Sequence, residues 1–324
     1  MKRRTLLCSA LVAMAAHAGF AMAQAQPYPN KPVRLLVGFA PGGGTDVTSR
    51  LFATKIGEKL GQPMVVENRA GAAGSIAADL IAKSDPDGYR LLMMASATFI
   101  HGVLSSKVPY NVTRDFTPIT FLTQAPLVLV VSSDNKAKNL KELIEWARAK
   151  PDGITYASDG VGATSHLAGE LFQSMTKLKL IHAPFKGNAE ALPALISGQI
   201  DVGFPSMATV MPMLQAGKLR AIAVTSAQRS TLLPDVPSLD ELGLRGFDIS
   251  AWYGVVGPPG LPKPIVDKLN TVITEVASAP EMKELVGKQG LEMQIRGPEQ
   301  FAAYAKSQEA LYSKVGKESN IKMD

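Results

Sequence analysis

The chain has 324 residues, 46% of them hydrophobic and 19% charged, with a formal net charge of +6 and one cysteine. So mild a basic excess, with no basic block and no aromatic–basic interleaving, excludes a nucleic-acid surface. A lone cysteine excludes a disulfide framework and a thiolate metal cluster.

Met1–Ala23 opens on Lys2, Arg3 and Arg4, continues through an apolar stretch from Leu6 to Ala18, and ends on Ala21-Met22-Ala23. This is the pattern of a signal peptide cleaved before Gln24. The stretch is shorter than the roughly 20 residues that span a bilayer. The Lys-Arg-Arg start leaves both the general and the twin-arginine export routes open. Cleavage removes Lys2, Arg3 and Arg4 and no acid, taking the formal charge from +6 to +3, and it also removes Cys8 and His17. A thiol-free mature chain suits an oxidising compartment. No later segment has the length of apolar sequence needed to cross a membrane.

About 300 mature residues exceed one core and imply two domains. Strand and helix signals alternate throughout, which predicts α/β architecture with parallel strands. Val33–Val37 and Met64–Glu67 read as strands, Ser75–Lys83 as a helix, and Tyr89–Ala95 as a buried strand after the turn Asp85-Pro-Asp-Gly88. Ser96–Asn111 reads as a loop. Leu127–Val131 is a continuous apolar run, and Asn139 can cap a helix over Leu140–Lys150. Strands follow at Ile154–Ser158, Leu180–Pro184, Ile200–Phe204 and Leu219–Thr225, with helices at Asn188–Ser197 and Met207–Gln215. The tail reads as a strand, Trp252–Val256, and three helices, Pro264–Ala277, Glu281–Gln289 and Pro298–Ser319. It holds no fresh run of strands, so it is expected to return to the first domain. The expected division is 1–23 signal peptide, 24–124 plus 248–324 as lobe 1, and 125–247 as lobe 2. The hinge crossings then fall near Phe121–Ala125 and Asp248–Trp252.

Two glycine-rich corners stand out. Val37–Asp46 (VGFAPGGGTD) leaves the first strand and opens a helix; Tyr156–Phe172 (YASDGVGATSHLAGELF) does the same in the second half. A strand–glycine–helix corner points free backbone N–H groups and the positive end of a helix dipole at one spot. Two such corners, one in each half, point to an anion held between two lobes.

These residues, with GQPMVVENRAGAAG, DPDGYRLL, HAPFKG, GKLRAIAVT, LPDVPSLDELG and WYGVVGPPGLP, make the chain resemble the periplasmic receptors of tripartite tricarboxylate transporters, the Bug family, over nearly its whole mature length. The resemblance implies a two-lobed periplasmic binding protein fold (type II, Venus flytrap) with two hinge crossings. It implies a small carboxylated solute in the cleft, delivered to an integral membrane permease or reported to a membrane sensor. It further implies a periplasmic location, with no catalysis, cofactor or metal. A monomer is expected. The ligand-binding residues it implies are Phe39, Ala40, Gly43, Gly44, Thr45 and Asp46 in the first loop, with Ala97 and Thr98 beside it. From the second half come Ser158, Gly162, Ala163, Thr164 and Ser165, with Phe204 and Ser206. Asp46 would repel a carboxylate and is expected to cap N–H groups and stiffen its loop. Gly42 either touches the ligand or permits a positive φ. Val161 and Ala163 depart from the family, whose members carry Asn and then Ser or Thr there; this moves the duty to backbone, Thr164 or water. Phe99 and Ile100 either favour an apolar ligand body or pack beneath their loop.

Neither loop contains Arg or Lys; Arg69 and Lys186 are the nearest candidates and lie outside both. Enzyme readings fail on motif. No Lys-Ser/Thr pair ends the first loop, G-x-G-x-x-G and G-x-S-x-G are absent, and His101, His166 and His182 stand singly without metal-ligand spacing. Ser165 and His166, adjacent on a helix, point about 100° apart. A secreted α/β hydrolase acting on a carboxylate ester or amide is the runner-up reading. A repressor's sensing domain would need a DNA-binding segment where the signal peptide stands.

Overall fold

The structure is a computed structural model that describes residues 28–185, 187–321 and 323. The signal peptide, the cleavage before Gln24, Cys8, His17 and Lys186 lie outside the described residues. Two mixed α/β sheets organise the chain. The first half contributes β1 (Val33–Val37), α1 (Gly44–Leu60), β2 (Met64–Asn68), α2 (Ser75–Ala82), β3 (Arg90–Ala95), α3 (Ser96–Leu104) and β4 (Thr117–Pro126). There follow β5 (Val128–Ser132), α4 (Leu140–Arg148), β6 (Ile154–Ser158), α5 (Thr164–Thr176), β7 (Leu180–Pro184), α6 (Asn188–Ile196), β8 (Val202–Gly203), α7 (Met207–Gln215) and β9 (Leu219–Val224). The tail is β10 (Ser250–Gly257), α8 (Lys263–Ser278), α9 (Pro280–Gly287), β11 (Glu292–Arg296) and α10 (Pro298–Glu318).

The six-stranded sheet runs β11-β4-β10-β3-β1-β2 and the five-stranded sheet β7-β6-β8-β5-β9. The tail strands β10 and β11 join the first sheet. β1 pairs parallel to both β2 and β3, and β6 pairs parallel to both β7 and β8. Strands covered on both faces read as apolar runs. Val33, Leu35 and Val37 of β1 and Leu91 and Met93 of β3 are all buried.

The chain leaves the first sheet after Pro126 and re-enters it at Ser250, where the two strands pair. One buried threonine ties the crossings together. Thr225 N–H donates to the Leu127 carbonyl (3.0 Å), and its Oγ1 donates to the Ile249 carbonyl (2.6 Å). The same Oγ1 accepts the Leu127 N–H at 2.9 Å, while Ile249 N–H donates to the Thr225 carbonyl at 3.0 Å. Two residues further along β10, Trp252 is fully buried within an aromatic cluster. Its ring lies 5.4 Å from Phe99, 5.7 Å from Phe121 and 5.9 Å from Phe301. The same apolar cluster continues through Leu127 and Leu129 to Tyr156, Phe172 and Phe204 of the second sheet.

The structure corrects three expectations. Ser96–Leu104 is a helix, not a loop. It is held by burial of Phe99 and Ile100, with Phe99 edge-on to Trp252 and Tyr312, so these two residues are core. The strand β11, pairing with β4 at the sheet edge, was not expected. β8 is only two residues long.

Thr225→Val keeps shape and apolar packing but leaves a buried N–H and a carbonyl short of one partner. Loss of about 1–3 kcal/mol of unfolding free energy is expected, read in urea melts as a lower midpoint at unchanged slope.

Candidate functional site

Both glycine corners leave the C-terminal end of a parallel strand whose two neighbours are reached by connections running in opposite directions. From β1 the chain goes to β2 on one side and later to β3 on the other; β6, β7 and β8 repeat the arrangement. Such a switch point opens a crevice beyond the strand ends, where open α/β sheets bind ligands. Ala97 and Thr98 follow β3 at the same edge as the first corner. Phe204 and Ser206 follow β8 at the same edge as the second.

The two corners match residue for residue. Gly43 N–H donates to the Ala40 carbonyl (3.3 Å) and Ala163 N–H to that of Gly160 (3.2 Å). Val47 N–H closes the next turn on Gly43 (2.9 Å), as Leu167 N–H does on Ala163 (3.1 Å). Gly42 and Gly162 adopt φ of +81° and +76°, the left-handed region that glycine enters without strain. The N-cap residues, Gly43 and Ala163, share an extended backbone, and neither helix has a side-chain cap. The first-turn N–H groups of Gly44, Thr45 and Asp46, and of Thr164, Ser165 and His166, therefore have no acceptor within their helices. Each set lies at the positive end of a helix dipole. The match extends one step further. The N–H of each left-handed glycine is accepted by the side chain four residues on: Asp46 Oδ2 takes Gly42 (2.9 Å) and His166 Nδ1 takes Gly162 (2.9 Å).

The first corner is braced from behind. Asp46 is buried and accepts from Arg50 Nε (3.0 Å) and Asn68 Nδ2 (2.8 Å); Asn68 Nδ2 also donates to the Phe39 carbonyl (3.0 Å). The Arg50 hydrogen bond, helped by those from Gly42 and Asn68, holds its carboxyl down at about 2 against the opposing effect of burial. Asp46 thus has the capping role read from its charge. Thr45 is buried beside the Tyr253 phenol, which burial pushes upward in pKa. Tyr253, on β10, escaped sequence reasoning because nothing local in WYG links it to a loop 200 residues earlier. Phe39 is half-buried; Phe39 and Thr98 are both within van der Waals reach of Gly74, and Thr98 is buried, with its Oγ1 donating to the Ala73 carbonyl (2.9 Å). Ala40, Gly43 and Gly44 are exposed and Ala97 half-buried.

In the second corner the hydroxyls have internal partners. Ser158 Oγ accepts Gly160 N–H (3.2 Å) and lies 2.6 Å from His182 Nε2. Ser165 Oγ accepts Asp159 N–H (3.0 Å) and donates to the Asp159 carboxylate. Ala163 and Thr164 are half-buried, and Val161 stands exposed. Phe204 packs against Phe172 (5.9 Å) and Tyr156 (6.4 Å) in the core, and Ser206 Oγ pairs with Thr209 Oγ1 (2.8 Å) at the start of α7. Two histidines read as isolated are neighbours: α5 packs against β7 and stacks the His166 and His182 rings 4.1 Å apart. Ser165 and His166 therefore serve different partners, and a nucleophile–base pair is not formed between them. Arg69 bonds Glu67 through Nε (2.8 Å), outside both loops.

Two mixed sheets joined by paired crossings, with matched crevices at their strand ends, define a two-lobed periplasmic binding protein fold. The comparisons agree. Residues 48–321 match the tripartite tricarboxylate transporter family receptor, and the chain belongs to that family. It is 36% identical to protein BugT of Bordetella pertussis over 301 residues, 92% of either chain. The solved periplasmic binding protein BugD is 33% identical with a TM-score of 0.68, over 91% of this chain and 99% of that one. MatC of Rhodopseudomonas palustris, solved with malate, is 31% identical with a TM-score of 0.68, over 89% and 99%. A second R. palustris protein, solved with adipate, is 31% identical with a TM-score of 0.71, over 91% and 99%. Among the described residues, no helix is long and apolar enough to cross a membrane.

Asp46→Ala removes the brace of the first corner and should cost about 1–2 kcal/mol, the value of an N-terminal cap. The acid limb gives the sign. A carboxyl near 2 when folded and about 3.9 when unfolded contributes stability above the unfolded value and loses it as pH falls towards 2. Urea melts at pH 7 and pH 3 should therefore show wild type losing more stability than Asp46→Asn.

Proposed function

We propose that this receptor captures a small carboxylate between its two lobes, chiefly through backbone N–H groups of the matched corners. One observation carries the reading. Gly43 and Gly44 occupy positions where the second corner bears Ala163 and Thr164 in the same backbone. Gly43 has φ −74° and ψ 163°, open to any residue, and a Cβ there would meet only the Ala40 carbonyl at 3.4 Å. Folding does not require glycine at that position, so the missing side chain is best explained as room for a ligand to reach the N–H groups behind it.

Electrostatics support the same reading. Each helix N-terminus offers an anion roughly 0.3–2 kcal/mol, and each neutral hydrogen bond about 1 kcal/mol net. Thr164 and ordered water supply further donors in the second corner. Thr45, Asp46, Ser158, Gly162, Ser165, Thr98, Phe204 and Ser206 act from beneath by fixing the corners. Ala40, Gly43, Gly44, Ala97, Ala163 and Thr164 face the solute, with Phe39 at the margin. The relatives solved with malate and adipate support a carboxylate as the class of solute.

The lobes on this reading are 24–124 plus 248–324 and 125–247. The protein binds its solute and returns it unchanged. It works in the periplasm as a monomer after cleavage before Gln24, and it serves a membrane permease or a membrane sensor.

Calorimetry with malate and adipate tests how the anion is held. Gly43→Val should fold normally and lose most of its affinity, because the branched side chain covers the N–H groups. Arg69→Ala and Lys186→Ala should change affinity by no more than about 1 kcal/mol, the value of an exposed ion pair. Binding lost in either cation variant but kept in Gly43→Val would replace the N–H account with an ion pair.

A further inference from the structure

The matched corners differ in one chemical respect. Where the first uses a carboxylate to take the N–H of its left-handed glycine, the second uses an imidazole, in a neutral form, on the atom in the same branch position. Asp46 Oδ2 and His166 Nδ1 each accept at 2.9 Å from the residue four positions earlier. A carboxylate keeps its acceptors over the whole working pH range. An imidazole acceptor becomes a donor on protonation, and would then point N–H at N–H.

We propose that His166 is the positioning residue of the second corner, and that protonating it releases Gly162 and loosens that corner's hold on the solute while the first corner stays set. The inference rests on the carboxylate-capture reading above and adds its regulation by acid.

The surroundings favour the neutral acceptor. His166 is 7% exposed. From β7, His182 stacks on it at 4.1 Å and 6° between planes, so two imidazolium charges would repel face to face. From β6, Tyr156 stacks on His182 at 4.8 Å, lies 6.5 Å from His166, and donates to Glu170 Oε1 at 2.6 Å. From α5 itself, Glu170 Oε1 lies 3.8 Å from His166 Nε2 and opposes the effect. Asp159 is bonded to Ser165 rather than to either ring. Among the other packed elements in the described residues, Glu318 of α10 bonds Ser174, His101 of α3 lies 2.8 Å from Ser75 Oγ, and the side chain beside Gly162 is the uncharged Met323. Burial first and His182 second pull His166 down to about 4, and burial also lowers His182. A lowered histidine binds fewer protons folded than unfolded, so the arrangement is intact at neutral pH and is lost as pH falls through about 4. His182 extends the device, because its Nε2 lies 2.6 Å from the Ser158 hydroxyl that also holds Gly160 N–H.

The test has one arm without solute and one with it. In ligand-free protein, amide and imidazole nitrogen spectra should show His166 Nδ1 unprotonated at pH 7. They should also show the Gly162 amide moving with a midpoint near 4, with the Gly42 amide still. In the second arm, adipate is titrated calorimetrically, with far-UV circular dichroism confirming the fold at each pH. Asn at 166 keeps an acceptor in the same branch position without titrating. His166→Asn should bind within about threefold of wild type at pH 7, whereas His166→Leu, which leaves Gly162 N–H without an acceptor, should bind at least tenfold more weakly. Relative to His166→Asn, wild type should lose about twofold at the midpoint and about tenfold one pH unit lower. A still Gly162 amide, equal affinities of His166→Leu and wild type, or parallel pH profiles of wild type and His166→Asn would each overturn the inference. If Gly162 titrates as stated but neither malate nor adipate binds at any pH, the carboxylate reading fails instead.

Discussion

A left-handed glycine whose N–H must find an acceptor is the constraint on which both halves of this molecule turn. At the end of a buried parallel strand the chain has to reverse into a helix, and a positive φ makes that turn short. The glycine N–H is then directed back towards the helix, where only a side chain on its first turn can take it. Asp46 and His166 do so at the same separation. Once that bond is made, the three N–H groups of the helix's first turn are fixed in direction and have no acceptor within the helix. Remaining features of each corner follow from protecting this geometry. Asn68 and Arg50 hold Asp46 in place, Tyr253 holds Thr45, and His182 holds Ser158.

Having the corner twice explains how two loops that contain no Arg or Lys can still favour an anion. One helix N-terminus in water is a weak attractor, and salt screens it. Two of them on separate sheets, with the chain crossing at Pro126–Leu127 and Ile249–Ser250, let a solute gain from both when the lobes approach. Binding then favours the state in which both contacts exist. Thr225 keeps the crossings in register, and the cluster around Trp252 carries packing from one sheet towards the other.

Much of this was legible in the sequence where a local rule applies. Val33–Val37, Ile154–Ser158, Leu180–Pro184 and Met207–Gln215 match their read boundaries, because apolar runs end at glycine, proline or a polar cap. The capping role of Asp46 followed from its sign and its place on a first helical turn. What escaped depends on contacts distant in sequence. Ser96–Leu104 lacks a side-chain cap and contains Gly102, so its helix exists by virtue of Trp252 and Tyr312, which arrive more than 150 residues later. Glu292–Arg296 carries polar residues at an edge and shows no core-strand pattern until β4 is there to pair with it. The histidine stack joins positions 16 residues apart through packing of α5 on β7, which spacing on one helix cannot reveal. Of the candidate site, the two corners were read as such. That the hydroxyls of Ser158, Ser165 and Thr98 point to internal partners required coordinates.

The most direct test of the account is an amide proton–nitrogen map of the mature protein recorded during a titration with adipate or malate. The largest shifts should fall on the N–H groups of Gly44, Thr45 and Asp46 and, in parallel, on those of Thr164, Ser165 and His166, with one shared binding curve. Shifts confined to one corner, or centred on lysine- and arginine-bearing surface away from both, would contradict an anion held between two matched helix N-termini.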